Sequence, residues 1–429
     1  MCQFATRCNS AILGIAILVL SANIPFAYGG SEASKNRAII RPSLVHLEPG
    51  QEQRFKVAMK ATRMMAAEAP QSVRWSVNNI PGGNEQFGTI HEDGTYRAPD
   101  KEPVPHEIHI CAEVGEAANP HLWATVLMGD PKPSYKKVGG WTEPIKGSEY
   151  LVNPHGIGLD KQGNVLIGDL GNNRVMRFTK EGKFLTEIGL KSGHGPGQFT
   201  QPRVVVTDHD GNIYVADQKS DRPRIQVFDP NGQLLRIFAE KGTRPGDILR
   251  AHGMGFDPVG HLFVTDVDNM RVNVYQPSGE FLYDFGGDGM GPGQFNAPHG
   301  LIVDPNGDVF VQNYYGPCQK LTGKGDYLFE FSHGDPPDGP LYFHSIAGDR
   351  WGNVYITVRG REGYDNALQI DDGTRVGIMK YNNNGDYITS ICLSVKGHRE
   401  SWAVVDDEGR IYTLYQGVDD MGVEIMEQQ

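Results

Sequence analysis

His252 to His261 reads HGMGFDPVGH, and the same ten-residue pattern returns five more times along the chain. The other copies are HGIGLDKQGN from His155, RVVVTDHDGN from Arg203, HGLIVDPNGD from His299, HSIAGDRWGN from His344 and SWAVVDDEGR from Ser401. In every copy an Asp stands five residues after the first position: Asp160, Asp208, Asp257, Asp304, Asp349 and Asp406. A Gly stands eight after it: Gly163, Gly211, Gly260, Gly307, Gly352 and Gly409. This is a short strand ending in an Asp-x-x-Gly turn, where Gly supplies the positive φ. Each copy runs into an apolar strand (VLIGD, IYVAD, LFVTD, VFVQN, VYITV, IYTLY), and most then carry an Arg-[Val/Ile]-x-x-[Phe/Tyr] strand and an outer strand. First positions recur every 45 to 57 residues, enough for four short strands and the period of one propeller blade.

Working outward, the last unit supplies only three strands after Ser401, ending near Val-Glu-Ile-Met. An orphan strand, YKKVGG from Tyr135 to Gly140, lies just before the first unit. It is expected to pair as the outer strand of the sixth blade, closing the ring and removing a free edge. In front of it, Ile39 to Met128 is a run of short strands. IIRPSLVHLEPGQEQRFKVAM reads as two strands around a Pro-Gly turn, VRWSVNNIPGG as a third with Trp75 inside, and FGTIHEDGTYRAP as a hairpin turning at Asp93-Gly94. HEIHICAEV and LWATVLM close the set. The Pro-rich residues from Asp130 to Pro133 read as a linker.

The phrases Pro-Gly-Gln-Phe at Pro196 and Pro292, with Pro-His-Gly and Val-x-Asp, resemble the NHL repeat family across nearly all of residues 135–429. The front segment, through Leu-x-Pro-Gly-Gln-x-x-x-Phe and Trp-Ser-Val-Asn, resembles the immunoglobulin-like modules of bacterial surface and secreted proteins. The expected fold class is therefore all-β: an Ig-like β-sandwich over 37–129, a linker over 130–134, and a six-bladed NHL-type β-propeller over 135–429.

The composition agrees. Among 429 residues, 54 Gly and 27 Pro suit many turns, and a net charge of −12 with signs interspersed disfavours a nucleic-acid partner. Arg7, the apolar run from Ala11 to Ala22 and Ala27-Tyr28-Gly29 before Gly30 read as a secretory signal over 1–29. Export to the bacterial periplasm, cell surface or medium is expected. The run is too short to span a bilayer, so no integral membrane segment is expected after cleavage. Cys2 and Cys8 leave with the signal. Cys111, Cys318 and Cys392 form no framework and allow one pair at most.

The first position of each unit opens the innermost strand, so His155, Arg203, His252, His299, His344 and Ser401 are expected on one rim of the central channel. Alternate blades lie about 120° apart in a six-fold ring, so His155, His252 and His344 converge on the axis. Three imidazoles with one open position are the ligand set of a catalytic zinc site. The other reading is a channel mouth filled by hydrogen-bonded histidines without metal, and both stay open.

Here the sequence resembles the peptidyl-α-hydroxyglycine amidating lyases, six-bladed propellers that hold zinc by three histidines. The resemblance implies zinc on His155, His252 and His344, Tyr315 in VQNYYG as the base, and Arg359 in ITVRGRE as the catalytic arginine. Two features depart from that pattern. Arg359 belongs to the blade of His344, whereas the family's arginine comes from a blade without a zinc histidine. His299 and Arg203 lack counterparts; Arg203 is the alternative carboxylate clamp and His299 a substrate-binding residue. The polar stretch from Arg359 to Arg375 reads either as a lid or specificity loop over the channel mouth or as a tolerated surface insertion, and both stay open. A small-molecule or peptide substrate is implied at the rim, supplied by another protein, since no copper-monooxygenase domain is present. The competing reading is a non-enzymatic propeller that binds a protein or glycan on its face. A calcium-dependent hydrolase or isomerase is disfavoured by the carboxylate-poor rim.

Overall fold

The computed structural model describes residues 37–59, 70, 72–115, 117–129, 133–144, 151–189, 192–218, 221–314, 316–332, 342–359, 376–393, 400–416 and 420–429. The described chain is all-β, apart from one 3-10 turn at Leu170–Asn172. From Tyr135 onward it forms six four-stranded antiparallel sheets in a propeller-like arrangement. Five of them use four consecutive strands, as in Ala251–Phe256, Leu262–Asp266, Arg271–Tyr275 and Phe281–Gly286. The sixth joins Glu400–Val405, Ile411–Gln416 and Asp420–Gln428, and takes Tyr135–Pro144 as its fourth strand, antiparallel to Asp420–Gln428. The first strands of successive sheets pack side by side, from Pro154–Leu159 round to Glu400–Val405, which touches Pro154–Leu159 again.

One device ends every first strand. Asp160 Oδ1 accepts the amides of Gln162 and Asn164 at 2.9 and 2.8 Å, and Gly163 N–H donates to the Asp160 carbonyl at 2.9 Å. Gly163 has φ 76° and open space where a Cβ would stand, so conformation alone requires glycine there. The second carboxylate oxygen is then bonded by the tenth residue of the repeat: Asn164 at 2.9 Å, Asn212 at 2.9 Å, His261 at 2.9 Å, Asn353 at 2.8 Å and Arg410 at 2.7 Å. Unit four places Asp308 in that position. Two adjacent carboxylates repel, and cations answer them: Lys320 Nζ lies 2.8 Å from Asp304 and 3.7 Å from Asp308, while Arg37 Nη1 donates to Asp308 Oδ1 at 3.0 Å.

Arg37 belongs to the front domain. There a five-stranded sheet (Leu44–Leu47, His121–Met128, Glu107–Glu113, Arg74–Val77, Ile80–Pro81) and a four-stranded sheet (Glu52–Arg54, Thr95–Arg97, Gly88–Ile90, Gly83–Asn84) accompany the pair Ala38–Arg41 and Lys56–Met59. Phe55, Val77, Tyr96, Ile108, Ile110 and Val126 make the core. The expectation of two strands before Met59 is corrected to four short ones. Phe55 is fully buried and donates its amide to the Gly94 carbonyl, so the chain leaves the partner Thr95–Arg97 and takes up Ala38–Arg41. The hairpin at Asp93-Gly94 is present, with Gly88–Ile90 paired to Thr95–Arg97.

The front domain docks on the Asp-x-x-Gly ends of units four and five. Lys380 Nζ is 2.6 Å from Glu107, both buried. Asn306 accepts the His121 amide at 3.1 Å and donates to its carbonyl at 2.7 Å, and Asn384 donates to the Trp123 carbonyl at 2.9 Å. His109 stacks on Trp351 at 4.6 Å, beside a buried cluster of Cys111, Trp123 and Trp351. Cys111 and Cys318 are free thiols; the Cys392 side chain and residues 1–29, where a signal is expected, lie outside the described residues. No helix among the described residues is long and apolar enough to cross a membrane.

Candidate functional site

At the opposite end of the first strands, β-bulges aim side chains inward. In units one to five the pairing of the first two strands slips beside His155, Arg203, His252, His299 and His344. A bulge opposes two residues to one and re-aims the extra side chain. Unit six pairs in unbroken register, and there Trp402, one residue past Ser401, reaches the same space. The Ser401 side chain lies outside the described residues, and Trp402 is the described lining residue of unit six. Together His155, Arg203, His252, His299, His344 and Trp402 line a cavity of 90 Å³.

The imidazoles are close. The His155 ring lies 5.6 Å from His252, 6.2 Å from His344 and 4.2 Å from Trp402. His299 lies 3.4 Å from His252 and 5.8 Å from His344. Two rings are braced alike, each on the carbonyl that opens the next unit. His299 Nδ1 is 2.9 Å from the His344 carbonyl oxygen, and the His155 ring bonds the Arg203 carbonyl while its buried Nε2 has no partner. Gly156 permits this approach, because a Cβ there would stand 2.3 Å from the Arg203 oxygen.

Burial, then the neighbouring Arg203 guanidinium and the other rings, push the pKa of His155 well below its ordinary value. His252 is lowered in the same way, by burial first and His299 next. His299 falls to about 3, through burial and then His344. All three are neutral at pH 7 and keep a lone pair, the form in which imidazole binds metal. An Nδ1 braced on a carbonyl also orients Nε2 for a ligand.

The donor chemistry therefore fits zinc, while the spacing is open. With Zn–N at ~2.1 Å, tetrahedral imidazoles place ring centres about 5 Å apart. Among the described residues no three His, Cys, Asp or Glu side chains are grouped closely enough to enclose an ion as they stand. Binding at His155, His252 and His344 would draw the rings inward.

Of the remaining expected residues, Arg203 stands in the cavity wall. Tyr315, the Arg359 side chain and the loop over 360–375 lie outside the described residues. Two residues were missed. Trp402 closes the wall between His155 and His344, and Tyr314 sits 5.1 Å from His299. Unit six opens with Ser-Trp where four others open with His followed by Gly or Ser, a faint signal that its strand stays regular.

No protein-family model matches the chain. Over 156 residues, 34% of this chain, it is 31% identical to peptidyl-glycine alpha-amidating monooxygenase A of Xenopus laevis, covering 16% of that protein. Over 129 residues, 29% of this chain, it is 27% identical to a probable peptidyl-alpha-hydroxyglycine alpha-amidating lyase of Caenorhabditis elegans, covering 37% of it. Over 138 residues, 29% of this chain, it is 27% identical to NHL repeat-containing protein 3 of Mus musculus, covering 40% of it. A solved streptogramin B lyase superposes with TM-score 0.46 at 12% identity, over 68% of this chain and 98% of that one. The chain spans less than half the length of these curated relatives, which include NHL-repeat proteins and amidating enzymes.

Proposed function

We propose that this chain is an exported six-bladed NHL-type propeller with an Ig-like front domain, acting as a zinc-dependent lyase at the histidine-lined mouth of its channel. The carrying observation is His155: a neutral, buried imidazole with one nitrogen braced on a carbonyl and Nε2 unpartnered. The partial identity to an amidating lyase supports a carbon–nitrogen lyase over other chemistries. His155, His252 and His344 would hold the metal, which when bound acidifies a coordinated hydroxyl.

The chain's own residues then have separable tasks. Arg203, on the same wall, offers a guanidinium to a substrate carboxylate. His299, tied to the His344 backbone, keeps its ring against His252 and gives the substrate a polar wall. Trp402 excludes water between His155 and His344. Tyr315 is the proposed base and Arg359 the second arginine; Tyr314 is the tyrosine to compare with Tyr315, given its place beside His299. A cavity of 90 Å³ admits only the end of a peptide, so a peptide substrate enters terminus first.

The test is elemental analysis of the mature protein beside a variant with His155, His252 and His344 changed to Ala. About one zinc per chain, lost in the variant, supports the site. No metal after zinc-supplemented purification overturns the lyase reading and leaves a propeller that binds a protein or glycan.

A further inference from the structure

The front domain also reaches the ladder that completes the sixth sheet. That ladder pairs Tyr135–Pro144 with Asp420–Gln428, in a register that runs from Tyr135 opposite Gln428 to Pro144 opposite Asp420. Tyr135 and Gln428 are thus its terminal pair. The end of a ladder is where fraying starts, and opening spreads inward from there.

Side chains on both members of the terminal pair are tied down. Lys380 Nζ donates to the Tyr135 hydroxyl at 3.1 Å and to Glu107 Oε2 at 2.6 Å. Gln428 Nε2 donates to the same Glu107 oxygen at 3.3 Å, and Asn353 Nδ2 of unit five donates to Glu107 Oε1 at 3.2 Å. Beside them Thr389 Oγ1 donates to the Pro133 carbonyl, and the Gln429 N–H to the Ser134 carbonyl, both at 3.0 Å.

Glu107 stands at the centre of a closed circuit. The circuit runs from the front domain to unit five through Lys380, and from Lys380 to the closing strand through Tyr135. It crosses the ladder to Gln428 and returns to Glu107. The Glu107 side chain is 1% exposed and that of Lys380 3%, so each bond to the carboxylate is of the charge-assisted, water-excluded kind. Attachment of the front domain to units four and five is already served by Arg37 on Asp308, by Asn306 and by Asn384. The bonds to Tyr135 and Gln428 fasten something else, the closing strand to the last strand.

We propose that the front domain is a clasp for the propeller. Docked, it pins the terminal pair of the closing ladder; undocking lets the seam between units six and one open. At that seam Trp141 of the closing strand lies 5.8 Å from Phe178 of unit one, and Trp402 of unit six lies 4.2 Å from His155. The clasp at one end of the strands therefore sustains a wall of the histidine cavity at the other. It stands independently of the lyase reading.

Hydrogen–deuterium exchange of the full mature chain, read by mass spectrometry, tests it. Two variants loosen the clasp from different places. Glu107→Gln removes the charge at its centre. Asn306→Ala removes both side-chain bonds to the His121 backbone and touches neither strand of the ladder. In each, the amides of Tyr135–Pro144 and Asp420–Gln428 are expected to exchange at least roughly tenfold faster, while Leu262–Asp266 in unit three keeps its native rate. Gln428→Leu, which severs only the last link, should give a smaller acceleration confined to the same two strands. The Asn306→Ala variant decides alone if Glu107→Gln does not fold. Unchanged exchange in its ladder overturns the proposal, because the ring then closes without the front domain. Acceleration of Leu262–Asp266 by the same factor overturns it too, because the contact then serves the whole fold alike.

Discussion

The two ends of the inner strands treat buried cationic side chains in opposite ways. At one end His155, His252 and His299 are crowded beside Arg203, and burial keeps all three neutral. At the other end Lys320, Lys380 and Arg37 are also buried, yet each meets a carboxylate. Burial alone would lower the pKa of Lys380, but Glu107, then Tyr135 and Asp349, outweigh it and raise the value above the ordinary range. What separates the ends is the supply of carboxylates. Where none is present among the described residues the imidazoles keep lone pairs that can serve chemistry; where they are present the charges pair, and Arg37–Asp308 and Lys380–Glu107 hold the two domains together.

The largest effect should come from breaking the docked end. Lys380→Met leaves Glu107 buried without its cation, which typically costs about 3–5 kcal/mol. Chemical unfolding followed through Trp123 at the interface should show it, and Glu107→Met added to Lys380→Met should return most of the loss. Because the folded pKa is raised, the pair's contribution is complete below about pH 10.5 and fades only as pH climbs through the higher folded value. A loss well under ~1 kcal/mol would mean that the pair is no more than a surface-type bridge.

Acid probes both ends at once. His109 at the interface and His299 at the channel both have pKa values lowered to about 3, in each case mainly by burial. The unfolded chain binds these protons near pH 6.5 and the folded chain does not, so stability falls as pH drops through the window from about 6.5 to about 3. His109 faces Lys380 and Arg350, which lower its pKa, and Asp349, which raises it. His109→Phe keeps a ring on Trp351 and removes one such group. Relative to the native chain it should recover about 2 kcal/mol between pH 7 and pH 5. Parallel pH profiles for the two proteins would assign the acid sensitivity to the histidine end alone.

Much of this contrast could be read in the repeat, and the places where reading stopped have physical causes. The strand order followed from Asp-x-x-Gly turns because Gly at positive φ is a local demand. Tyr135–Pro144 pairs with Asp420–Gln428, as the missing fourth strand of unit six required. The tenth residue of the repeat (Asn, Asn, His, Asp, Asn, Arg) already marks unit four as odd. Nothing local reveals that Arg37, 271 positions away, answers Asp308. Trp402 was missed because a bulge is a property of two paired strands, and its absence in unit six leaves only a faint mark in one of them, Ser-Trp in place of His-Gly or His-Ser. A smaller effect follows from that odd unit. Asp308→Asn restores the donor that other units use, so Arg37→Met should cost about 1 kcal/mol more than Arg37→Met combined with Asp308→Asn. Equal thermal and chemical stability of the two would show that Lys320 alone balances the paired carboxylates.

The smallest effect is expected where the two ends are hardest to tell apart, at the adjacent rings of His252 and His299. Their centres are only 3.4 Å apart, so proximity alone does not say which one serves a metal. His299 has its Nδ1 on the His344 carbonyl and sits in unit four, outside the alternating set of units one, three and five. His299→Asn should therefore leave zinc stoichiometry unchanged and lower the affinity by less than about tenfold, the lower bound for losing an orienting neighbour. His252→Asn should abolish stoichiometric zinc. Competition against a chromogenic chelator measures both. The reverse order would assign the metal to neighbouring units and make the channel mouth asymmetric, with His299 as ligand and His252 as its support.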